Sequence, residues 1–114
     1  MSPQHNLDFP ESDWKHLRSI KDAALNRFCE RALAECSQAI VHPGRTAHER
    51  YLALFEVLGE RNEELSRAFD GLRRSTAMIQ LMNMRSLGLV TDEEMEGFTP
   101  RTRDIVASTL RGFD

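Results

Sequence analysis

With 114 residues the chain has room for one domain but not for two comfortable ones. Its 40% hydrophobic and 29% charged residues make a globular balance that excludes disorder as the ruling state. A net charge of −3 supplies no bulk attraction to nucleic acid or an anionic membrane, and no apolar run approaches the roughly 18–20 residues of a membrane span.

Residues 1–11 contain Pro3 and Pro10 and no helical period, which predicts an extended N-terminal arm. Met1 to Pro10 carry neither Lys, Arg nor an apolar block, so this stretch does not read as a secretory signal. Ser12 is the expected N-cap of a first helix over about 13–41, with Asp13 as the acidic residue of its first turn. Trp14, Leu17, Ile20, Ala24, Phe28, Ala32, Cys36 and Ile40 then recur at spacings of three or four, and Leu25, Cys29, Leu33 and Ala39 widen the stripe. Cys29 and Cys36 fall on the same side of that helix, roughly 10 Å apart along its axis and too far for a bridge. Two free thiols fit a reducing compartment, so the expected location is cytoplasmic. His42-Pro43-Gly44 breaks the helix.

Thr46 and Glu49 form a capping box that opens a second helix. Phe55, Leu58, Asn62, Leu65, Phe69, Leu72, Thr76 and Ile79 alternate by three and four along it, and no proline interrupts it before Leu87. The pattern predicts a helix over about 47–87, roughly 60 Å long, with Gly59 and Gly71 as the positions where it would bend. The short turn makes the two helices antiparallel, so the end of the second helix from Thr76 onward should overhang the first by roughly 20 Å. The C-terminal segment is the expected cover for Met78, Ile79, Leu81, Met82 and Met84. Gly88 ends the long helix, a second capping box at Thr91 and Glu94 starts a short one over about 92–97, and Thr99-Pro100 opens a last one over about 100–111.

The fold class read from these elements is all-α: a long antiparallel helical hairpin plus one or two short C-terminal helices. Residues 12–114 form a single helical domain. A hairpin of this size has little core of its own, and pairing two of them would complete a four-helix-type bundle, so a homodimer is expected. The ladder from Phe55 to Ile79 is the expected interface. Asn62 within it is either a register-setting polar residue or the solvated edge of the ladder.

Chemistry finds little footing. His5, His16, His42 and His48 are scattered, and the sequence has neither a helical HExxH motif, a glycine-rich phosphate loop nor a nucleophile elbow. No catalytic residue, metal site or cofactor is assigned, and the chain does not read as an enzyme. The expected function is that of a helical interaction protein, an adaptor or regulatory subunit acting through self-association or through packing against a partner protein's helix. A second reading uses Arg67, Arg73, Arg74 and Arg85 as phosphate contacts of a nucleic-acid-associated regulator. Charge pairing by Glu63 and Asp70 and the lack of interleaved aromatic residues weigh against it. A third is a helical bundle holding a small molecule among Phe, Met and Trp side chains.

Overall fold

The computed structural model describes residues 8–111, and within them all regular structure is helical. Helix α1 spans Glu11–Val41 and α2 spans Ala47–Phe69; a single 3-10 turn at Arg74–Thr76 leads into α3 (Ala77–Ser86), followed by α4 (Asp92–Met95) and α5 (Pro100–Arg111). The molecule is a rod of 57 × 28 × 28 Å. The head of the rod is closed and its other end is bare.

Helix α1 begins two residues earlier than the sequence suggests, because the residue at its cap is Pro10 and not Ser12. The ring holds Pro10 at φ −60°, and its carbonyl accepts from the Trp14 amide at 2.9 Å, so no side-chain cap is used. The expected arm therefore ends at Pro10, and its first seven residues lie outside the described ones. Phe9 is buried rather than free: its ring lies 6.2 Å from that of Phe98, and Arg74 Nε donates to its carbonyl at 2.7 Å.

The antiparallel hairpin forms as expected. Thr46 and Glu49 make both bonds of their capping box, as do Thr91 and Glu94. The continuous helix over 47–87 does not form. Asp70 leaves the helix at ψ 137°, and Gly71 takes φ +63°, a left-handed conformation that costs glycine nothing sterically. Helix α3 then turns back against α2. Its side chains serve the carbonyls that α2 leaves without partners: Gln80 Nε2 donates to Asp70 at 3.0 Å, and Asn83 Nδ2 donates to Arg67 at 3.2 Å.

Burial decides between the broken and the straight helix. A straight helix would leave Met78, Leu81 and Met84 in water, whereas here none is more than 1% exposed. Burying three such side chains yields roughly 1.5–3 kcal/mol each. The few helical hydrogen bonds lost at the break are worth about 1 kcal/mol apiece, and some are replaced by Gln80 and Asn83.

These three side chains form the centre of the head, with Leu17, Ile20, Ala24 and Phe28 of α1, Leu89, Val90, Phe98 and Val106 around them. The methionines thus serve mainly as core, with Met82 partly buried at its edge. The overhang is consequently at the opposite end from the one expected. The segment after Thr76 is covered except at Ile79, which stays exposed, and the hairpin turn with the adjoining parts of α1 and α2 projects from the head as two helices alone.

Candidate interaction surface

The side chains of α2 that meet α1 are set by helix geometry. Leu54, Val57, Arg61 and Glu64 are partly buried and Ala68 is fully buried, a run with the 3-4 spacing of a helix–helix seam. Cys36 and Ala39 are buried opposite them on α1, with Ala32 partly buried. The expected ladder lies one residue further along, at Phe55, Leu58, Asn62, Leu65 and Phe69, and so is rotated about 100° away from the seam. It does not face α1. Its lower members, Leu65, Phe69 and Leu72, are partly buried against the core of the head. Its upper members are open: Phe55 is 72% exposed and Leu58 43%, and Asn62 is exposed. Thr76 and Ile79 lie beyond the break and leave the ladder, Thr76 partly buried and Ile79 exposed.

Helix α1 contributes to the same surface. Leu33 and Ile40 each follow a seam residue by one position, as Phe55 and Leu58 do on α2. In antiparallel helices, positions displaced in the same sense from the seam lie on one side of the pair. Leu33 and Ile40 therefore share a face with Phe55 and Leu58, and all four are exposed. Tyr51, four residues before Phe55, extends the ladder toward the turn at 66% exposure, and Val41 and Leu52 flank it. No charged side chain interrupts the positions Leu33, Ser37, Ile40, Tyr51, Phe55, Leu58 and Asn62. The sequence pattern places Ile40 and Leu33 in the apolar stripe of the first helix and does not single out Tyr51. The available signal was the four-residue step from Tyr51 to Phe55.

The seam also carries charged side chains. Arg61 Nε lies 3.1 Å from Glu35 across the hairpin, and its guanidinium also reaches Glu60 at 3.6 Å and bonds Glu64. The hydrogen bond to Glu64 is the main cause that holds Arg61 protonated even more firmly than usual, against the opposing effect of burial. An open cleft of about 180 Å³ lies between the helices here, lined by Phe28, Ala32, Arg61, Glu64, Leu87 and Leu89 among others. A second, of about 160 Å³, is lined by Glu64, Arg67, Asn83, Ser86 and Leu87. Both are smaller than the roughly 300 Å³ at which small-molecule pockets begin.

The four arginines considered as phosphate contacts are engaged differently. Arg74 holds Phe9, and Arg85 donates to the Val90 carbonyl at 2.6 Å and to Asp92 at 2.5 Å. Arg73 is exposed at the break, and Arg67 is exposed near the end of α2 beside the smaller cleft. His5 lies outside the described residues, and His16 sits on another part of the fold from His42 and His48. The His16 ring Nε2 lies 2.7 Å from the Glu94 carbonyl and meets the Phe98 ring edge-on at 4.6 Å, while His42 and His48 stand exposed at the turn. Among the described residues no three His, Cys, Asp or Glu side chains come together to hold a metal, and no helix is long and apolar enough to cross a membrane.

Comparison with protein-family models, with curated proteins and with solved structures returned no match for the chain.

Proposed function

We propose that this is a non-catalytic helical interaction protein, an adaptor or regulatory subunit whose working surface is the open face of the hairpin. The observation that carries this reading is the pair Tyr51 and Phe55, two aromatic side chains about two-thirds exposed or more, in line with Leu58 and beside Leu33 and Ile40. Scattered exposed apolar residues are ordinary, but a contiguous set of large ones is the mark of a surface that another protein covers. Aromatic side chains gain most from that cover, because they bring large apolar area at little cost in side-chain entropy. The closed head serves this surface as an anchor: it holds the lower halves of α1 and α2 in register and leaves their upper halves free to pack against a partner helix.

The reading is tested by placing a photo-crosslinking benzophenone amino acid at Phe55 in the living cell, with the exposed residue Glu56 as control. A discrete protein adduct is expected from position 55 and none from position 56. Absence of a discrete adduct from position 55 would reject this surface as the working one.

A further inference from the structure

We infer that the occupant of this face is a second copy of the chain, the two hairpins packing α2 against α2 about a two-fold axis near Gly59 and Asn62. This inference rests on the interaction reading above and names the partner for it. Its first support is charge. A two-fold interface brings each patch against itself, so a charged patch repels its own copy while a neutral one does not. The face made by Tyr51, Phe55, Leu58 and Asn62, with Leu33, Ser37 and Ile40 beside it, holds no charged side chain, although the chain as a whole is 29% charged and Glu56, Glu60 and Arg61 stand at other positions of the same helical stretch.

Asn62 gives the second support. A residue near a two-fold axis meets its own image, and the Asn amide has both a donor and an acceptor with which to bond that image reciprocally. An exposed Asn at this point of an apolar ladder is the device by which paired helices fix their register.

Gly59 gives the third. It lies mid-helix, where glycine weakens the structure, and a Cβ built on it meets nothing within 4 Å. No neighbour in its own chain requires the absence of a side chain. Standing one turn from Phe55 and three residues before Asn62, it lets a second backbone approach closely at the proposed axis.

The area also fits. Leu33, Ile40, Tyr51, Phe55 and Leu58 leave on the order of 500–600 Å² open per copy before Ser37, Gly59 and Asn62 are counted, which approaches the roughly 800 Å² each partner contributes to a standard-size interface.

The test measures the solution mass of the full chain by light scattering from micromolar to millimolar concentration. A species of twice 13.1 kDa is expected. The Phe55→Glu, Leu58→Glu double variant should be a monomer with unchanged helicity by circular dichroism, since both residues are exposed in the single chain. If that variant fails to fold, Asn62→Asp decides. One carboxylate at an exposed site is harmless in a monomer, but two meeting at the axis should weaken the dimer at least about tenfold at neutral pH and let it recover in acid. Asn62→Leu should leave the dimer intact. A parent protein that stays a folded monomer throughout overturns the inference, as does a dimer unaffected by Phe55→Glu, Leu58→Glu or by Asn62→Asp. The broader interaction reading is judged separately: a monomeric parent that gives a heterologous adduct at position 55 keeps it, and a parent with neither self-association nor adduct loses both.

Discussion

Replacing Asp13 with alanine is expected to lower the unfolding free energy by about 3 kcal/mol, a large share of the stability of a domain of this size. Asp13 is completely buried at the first turn of α1. Its Oδ1 accepts from the Thr99 amide at 2.8 Å, and its Oδ2 accepts from the hydroxyls of Thr99 at 2.8 Å and Thr102 at 2.6 Å. These donors come from the start of α5, and the carboxylate itself sits in the first turn of α1. The positive ends of two helices thus converge on one buried charge, and helix dipoles and neutral donors stabilise it. Alanine would remove the charge but strand three donors in a place with little water, and it would cut the link between α1 and α5. Asparagine keeps one acceptor oxygen and should cost about half as much. Urea denaturation at neutral pH measures both losses. A cost below about 1 kcal/mol for Asp13→Ala would mean that α5 is held by its apolar contacts alone.

The elements announced by local chemistry were legible in the sequence. Both capping boxes and the proline-led start of α5 involve residues within four positions of one another, so short-range rules suffice to find them. The break after α2 was not legible, although Gly71 was among the places where a bend was expected. Nothing within residues 70–76 forces a stop; burial of Met78, Leu81 and Met84 against α1 and α5 does so, and that depends on residues far off in the chain. The residues by which α2 meets α1 were not legible for a related reason. The α2 residues that face α1 include Arg61 and Glu64, which an apolar pattern skips, and Phe55, Leu58 and Leu65 next to them score better. An apolar 3-4 ladder shows that a helix has a face to cover, but not which neighbour covers it. Asp13 gave the clearest case. From the sequence it is an ordinary acidic residue in a helix first turn, and only the arrival of Thr99 and Thr102 makes it a buried anchor.

Replacing Glu94 with alanine is expected to cost about 2 kcal/mol at neutral pH, from the hydrogen bonds alone. Its two oxygens accept from Arg27 at 2.7 and 3.0 Å, and Oε1 also accepts from the Thr91 amide at 2.9 Å. Arg27 donates to the Leu89 carbonyl as well, at 2.7 Å, so α1 grips both ends of the segment leading into α4. The Arg27 hydrogen bond is the main reason that the Glu94 carboxyl titrates below its ordinary 4.5; burial works in the opposite direction and loses. A carboxyl depressed in the folded state contributes its full stability above its unfolded value and loses it as pH falls through the folded one. Acid below about pH 4.5 should therefore progressively weaken the native protein, and the stability gap between it and Glu94→Gln should narrow over the same range. Glu49 is lowered too, chiefly by the Thr46 amide in its capping box, so the variant should retain some acid sensitivity. Urea midpoints taken from neutral pH into acid would show both effects. A gap that stays constant with pH would mean that Glu94 acts through shape and neutral hydrogen bonding, and that its charge adds nothing to the clasp between α1 and α4.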